Sequence, residues 1–187
     1  MDNRIRIYND IDLLSFNSEE DRVNIEGYAA HFGVPNLNKE IVFKESFDLF
    51  FDTYSKGMIK PILNFEHQND KQIGGIDSLE IRKEGLYMHA HINKNIPYCN
   101  EWLIPNIMAG DINKLSTEGI CVGGVDGIKV NSDGSYVVLN FLLTAVGIVR
   151  IPADFKAEFT VKNYLESLEK DEEEVKEEIN KTKWYLL

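Results

Sequence analysis

Between Ile62 and Ile92 the chain carries three consecutive apolar-alternating runs, and these constrain its fold more than any other stretch. The first is Ile62-Leu63-Asn64-Phe65-Glu66-His67-Gln68. The second runs from Ile73 to Ile81 and the third from Gly85 to Ile92. Alternation with period two places every second side chain on one face, the pattern of a half-buried strand. The separators, Gln68-Asn69-Asp70-Lys71 and Arg82-Lys83-Glu84-Gly85, have turn compositions. The stretch therefore predicts three strands. His67 closes the first, at a strand end, where a side chain can be held firmly and still reach a cleft. Ser116 stands in Lys114-Leu115-Ser116-Thr117-Glu118-Gly119, where a helical pattern gives way to a strand-like one. A histidine and a serine brought together by a fold are the minimum kit for nucleophilic acyl transfer.

The flanking sequence adds strands and a few helices. Residues 4–8 alternate and predict a short strand. Val23 to Phe32 alternates again, with Gly27 marking a bulge or a close backbone approach. Residues 33–39 read as a loop and 41–43 as a short strand. Ser46 to Lys56 predicts a helix whose Phe47, Phe50, Phe51 and Tyr54 form one aromatic face for core packing, stopped at Gly57. Pro97 to Lys114 reads as a helix broken at Pro105. Leu115 to Val130 is strand-like and glycine-rich, and Asn131-Ser132-Asp133-Gly134 is the clearest turn. Tyr136 to Val149 predicts one long strand, buried on both faces or bent at Gly147.

A length of 187 residues favours one domain, here residues 1–160, with a short appendage, residues 161–187. In that appendage residues 166–183 hold eight acids and four lysines, with Glu166–Lys170, Glu172–Lys176 and Glu177–Lys181 at i,i+4 spacing. This predicts an acidic, solvated C-terminal helix packed by a narrow apolar edge. The net charge of −11 argues against a nucleic-acid-binding surface as the main role. Two cysteines, Cys99 and Cys121, make no disulfide framework and fit a reducing compartment. The N-terminus has no apolar core of a secretory signal, and no apolar run approaches ~20 residues, so no membrane span is expected. His89 and His91 alternate with Met88 and Ala90 and so share one face. As a pair they suggest a metal site, but no third ligand has suitable spacing, and no metal or cofactor is expected.

Six segments, in order, resemble one known family. They are Gly27-Tyr28-Ala29-Ala30-His31-Phe32, Phe43–Phe47, Leu63–His67 with Ile73-Gly74, Gly85-Leu86, Ala109–Ser116, and Leu143–Ala157 with Pro152-Ala153 inside it. Together they resemble the prohead (capsid maturation) serine proteases of tailed bacteriophages, whose fold is similar to that of the herpesvirus assembly proteases. The resemblance covers roughly residues 23–158. It implies an α+β fold: a mostly antiparallel, β-barrel-like core flanked by helices. It implies Ser116 as nucleophile and His67 as base. The family's third member, an acid, falls where this chain has Ala145, and a family serine falls at Gly147. After the nucleophile the family often shows Ser-x-Gly-aromatic, against Ser116-Thr117-Glu118-Gly119-Ile120 here. Herpesvirus-type relatives use a second histidine, which makes His31, His89 and His91 candidates for the third place. Gly123, Gly124 and Arg150 are candidate sources of oxyanion-hole N–H groups.

Two readings follow from the resemblance. In one, the chain is an endopeptidase that processes scaffold and capsid protein inside the prohead. In the other, it is a catalytically impaired protease fold serving as an auxiliary capsid component. Both imply the phage major capsid protein or scaffold as partner, possible self-association, no direct nucleic-acid or membrane partner, and a place in the host cytoplasm within the prohead or capsid.

Overall fold

The structure, a computed structural model, describes residues 21–161. The three predicted strands are present as β3 (Ile62–Phe65), β4 (Gln68–Ile81) and β5 (Gly85–Asn93). The first turn is tighter than its composition suggests. Phe65 pairs directly with Gln68, so only Glu66 and His67 connect β3 to β4. The polar residues Gln68 to Lys71 belong to the exposed start of β4. His67 therefore occupies a two-residue hairpin turn.

Around this hairpin lie β1 (Arg22–His31), β6 (Lys114–Cys121), β9 (Phe141–Val149) and β10 (Phe159–Val161). Together they form a seven-stranded sheet of order β10-β1-β5-β4-β3-β9-β6. Neighbours are antiparallel except β3 and β9, which run parallel. The sheet curls until its ends meet. Lys114, at the start of β6, bridges to Glu158, just before β10. Leu115 N–H donates to the Ala157 carbonyl at 2.9 Å, and Phe159 N–H to that of Asn113 at 3.0 Å. The closure is local, tying the start of β6 to the segment that leads into β10. Gly27 faces the chain end that closes the curl, and a Cβ there would collide with the Glu158 carbonyl oxygen. The close approach predicted at Gly27 is thus the seat of β10.

A smaller sheet, β2 (Glu40–Ile41), β8 (Tyr136–Val138) and β7 (Ile128–Val130), has the order β2-β8-β7. The Asn131–Gly134 turn joins β7 to β8. The long apolar run from Tyr136 to Val149 is accordingly two strands in two sheets, a correction to the single strand expected. The break falls at Leu139-Asn140, whose backbone bonds to Gly127 and Val122. From Ala145 to Val149 every residue of β9 is buried, which accounts for the unbroken apolar sequence there.

The core is apolar and continuous. Leu63, Ile73, Leu86, Met88, Ile92, Leu115, Leu143 and Ile148 of the large sheet are all wholly buried, each contributing about 1.5–3 kcal/mol of burial against the entropy of ordering it. Helix α1 (Asp48–Ser55), entered through a 3₁₀ turn at Lys44–Phe47, carries the aromatic face. Phe47 and Phe50 are fully buried, and Phe51 and Tyr54 pack against the core. Gly57, at φ 67°, ends it as expected. The predicted helix from Pro97 to Lys114 is shorter: a π turn at Cys99–Leu103 passes into α2 (Ile104–Met108). Pro105 lies in the first turn of α2, where no N–H donor is needed, so it begins a helix instead of breaking one. The predicted strand at residues 4–8 and the acidic C-terminal helix lie outside the described residues.

Candidate functional site

One cavity of about 890 Å³ opens between the two sheets, lined among others by His31, Glu40, His67, Ser116, Glu118 and Asp154. Its geometry follows from register. Ser116 and Glu118 are two apart on β6, so their side chains leave the same face. Ser116 pairs with Gly147 of β9, and Glu118 pairs with Ala145. Side chains directly opposite each other in an antiparallel pair share a face, with Cβ atoms roughly 4.5–5.5 Å apart. A Cβ added to Gly147 would therefore stand beside that of Ser116. It would also lie 3.1 Å from both Cε1 and Nδ1 of His67. The imidazole thus rests on bare backbone at the strand position next to Ser116, on the face that Ser116 uses. Gly147 leaves the ring the room to do so.

The turn that delivers His67 is strained and pinned. Glu66 and His67 have φ of 54° and 56°, the left-handed region that costs an L-residue roughly 1–2 kcal/mol. Positive φ at both central residues is what a tight I′ hairpin turn demands, a position usually filled by Asn-Gly. Here the backbone strain coincides with the cavity. Glu66 anchors the turn: its N–H donates to the Ile148 carbonyl at 3.0 Å. Its carboxylate accepts from the Arg150 backbone N–H at 3.0 Å and from Arg150 Nε at 2.9 Å. The Arg150 N–H, a candidate oxyanion donor, is therefore already engaged. Gly123 and Gly124 lie in a left-handed turn after β6, and Gly124 lines the cavity.

His67 Nδ1 lies 3.3 Å from Glu118 Oε2. Each side chain is about one-third exposed, at 35% and 34%. The two facing atoms are themselves closed to water and neither makes a hydrogen bond, to the other or to any other group. Glu118 is the residue that sequence reasoning passed over. Its signal was present, because strand alternation already places it on the same face as Ser116.

The structure does not bring His89 and His91 to this cavity, a correction to their candidacy for the third place. β5 is separated from β6 by β4, β3 and β9 in one direction and by β1 and β10 in the other. Met88, Ala90 and Ile92 take the buried face, which turns His89 and His91 outward. There His89 lies 3.0 Å from Glu26 and 3.1 Å from Glu80, and His91 lies 2.8 Å from Asp77. His31 does line the cavity, but Asp154 holds it. Asp154 Oδ2 is 2.8 Å from His31 Nδ1 and accepts the His31 backbone N–H at 2.9 Å. Burial alone would raise the Asp154 carboxyl. The bonds from the His31 ring, the Lys156 N–H and the His31 N–H outweigh it and hold the group below its ordinary value.

A strand-borne serine and an imidazole lining one cavity of a curled sheet can now be set against known proteins. The family model of the caudovirus prohead serine protease matches residues 11–173. The chain belongs to that family. That family is one of phage prohead serine proteases. The solved structure of the bacteriophage T4 capsid assembly protease is similar, with a TM-score of 0.55 at 19% identity over 67% of this chain and 80% of that one. The protease of the herpesvirus KSHV, solved with a hexapeptide phosphonate inhibitor, gives a TM-score of 0.50 at 10% identity over 75% of this chain and 65% of that one. At such identities the likeness is one of fold, and it agrees with the mostly β, few-helix architecture expected. Comparison with curated protein sequences gives no match.

Proposed function

We propose that this prohead-protease family member is an active serine endopeptidase that cuts scaffold or capsid protein inside the assembling phage head, with Ser116 as nucleophile and His67 as general base. The observation that supports it is the seat of the His67 ring on Gly147, the register partner of Ser116. In this reading Nδ1 faces Glu118 and Nε2 is left for the serine proton. Ser116 Oγ attacks the scissile carbonyl as His67 takes its proton. The protonated imidazole then gives that proton to the departing amine. A water, activated by the same ring, attacks the acyl-enzyme and releases Ser116. Backbone N–H groups near the β6 strand end stabilise the developing oxyanion.

The capsid or scaffold substrate and the location within the prohead in the host cytoplasm come from the family and from the T4 capsid assembly protease, and they belong to this proposal. Co-expression of the chain, with and without Ser116→Ala, beside its phage's scaffold and major capsid protein tests it. The expected result is shortened scaffold or capsid protein with the parent only. Identical gels from the two chains would refute it in favour of a non-cutting head component.

A further inference from the structure

The inference here rests on Ser116 and His67 acting as proposed, and it names the group that positions the base. Among the described residues four buried side-chain polar atoms lack a hydrogen-bond partner: Arg22 Nε, Asn64 Oδ1, His67 Nδ1 and Glu118 Oε2. Two of the four face each other at 3.3 Å. Leaving a donor and a carboxylate oxygen buried and unpaired is costly, and bonding one to the other satisfies both. Catalytic hydrogen bonds are commonly long in the free enzyme and tighten when substrate closes the site. Among the described residues, Glu118 is the carboxylate recorded at ion-pair distance from His67. Other nearby acids are engaged, Asp154 with His31 and Glu66 with Arg150.

We propose that Glu118 is the positioning acid of the site, supplied from the nucleophile's own strand, two residues beyond Ser116. Its carboxylate accepts Nδ1–H, fixes the tautomer that leaves Nε2 basic, and stabilises the imidazolium that forms when Ser116 gives up its proton. Ala145, where the family resemblance leads one to expect the acid, carries only a methyl group. It is also the register partner of Glu118. The two positions lie side by side on adjacent strands, and their side chains address the same space from positions roughly 5 Å apart. A carboxylate at position 118 addresses the same space as one at position 145 would. An acid missing at position 145 is therefore no sign of an idle site.

The test uses the full chain and a peptide spanning the scaffold or capsid junction that the parent cuts. Glu118→Gln keeps the shape and removes the charge. It is expected to lower kcat by roughly 10²–10⁴-fold with KM nearly unchanged. The low-field proton resonance of a carboxylate-bonded His67 Nδ1–H should disappear with it. The double variant Glu118→Ala/Ala145→Glu is expected to regain at least about tenfold over Glu118→Ala alone, since the carboxylate returns from the neighbouring strand. Urea midpoints establish that each variant is folded. A Glu118→Gln protein within about threefold of parental kcat, or one that keeps the low-field proton, overturns the proposal. So does a folded double variant no better than Glu118→Ala. If Ser116→Ala itself cuts like the parent, the fault lies with the proposed chemistry and not with Glu118.

Discussion

The left-handed turn at His67 lends itself to a comparison of two small residues. Replacing His67 by alanine or by glycine removes the same imidazole, the same 3.3 Å approach to Glu118 and the same cover over Gly147. Those losses cancel between the two variants, and what remains is the backbone at φ 56°. At an ordinary strand position glycine is the less stable choice by roughly 0.5–1 kcal/mol, because the unfolded chain has more freedom to lose. At positive φ the order reverses. Alanine carries the ~1–2 kcal/mol clash of Cβ with the following carbonyl, and glycine carries none. Set against glycine's entropic cost, the difference should leave His67→Gly more stable than His67→Ala by about 1 kcal/mol, or a few degrees in melting temperature for a chain of this size. Urea denaturation followed by tryptophan fluorescence measures it, and neither variant should cut substrate. An alanine variant as stable as the glycine variant would refute the claim that His67 is held under backbone strain.

Two further expectations concern stability with pH and thiol chemistry. The Asp154 carboxyl lies below its ordinary value of 3.8, so its stabilising share is complete above that value and is lost as pH falls through the lower, folded-state value. Asp154→Asn should therefore be less stable than the parent near neutral pH, and the gap should narrow in acid titrations below about pH 4; a gap constant down to pH 2 would count against the assignment. Burial pushes the Cys99 thiol up to about 11, with Lys71 acting weakly in the opposite sense. Cys121 is only half-buried, so a thiol reagent at pH 8 should modify Cys121 in the native protein and Cys99 only as the chain unfolds. Rapid native labelling of Cys99, read by peptide mass, would contradict its burial.

How much of this was legible in the sequence differs from residue to residue. The alternation from Ile62 to Ile92 specified three strands, since a half-buried sheet permits no other period over that length. The polar residues Gln68 to Lys71 concealed that the hairpin turn is only Glu66-His67. An exposed strand end and a loop have the same composition, and only the pairing of Phe65 with Gln68 separates them. β10 is three residues long, too short to leave a periodic signal. For the site, strand alternation put His89 and His91 on one face correctly but could not say which face looks inward. That depends on strand order, a non-local property. Glu118 was legible as a neighbour of Ser116 and illegible as a neighbour of His67, because the hairpin that carries His67 meets β6 only through β9. The opposition of Glu118 to Ala145 is a fact of register, and no single strand contains it.

The bridge from Lys114 to Glu158 gives the fold a schedule. The strand bearing Ser116 is fastened on one flank by β9 and on the other by the last segment of the described chain. A ribosome has to deliver nearly the whole domain before that second fastening exists. A nascent or clipped polypeptide that stops short of residue 157 would carry its serine on a strand stitched along one side only. Such a molecule would hold Ser116, His67 and Glu118 and lack part of the frame that aligns them, so the site is assembled only after residues 157 and 158 have been added.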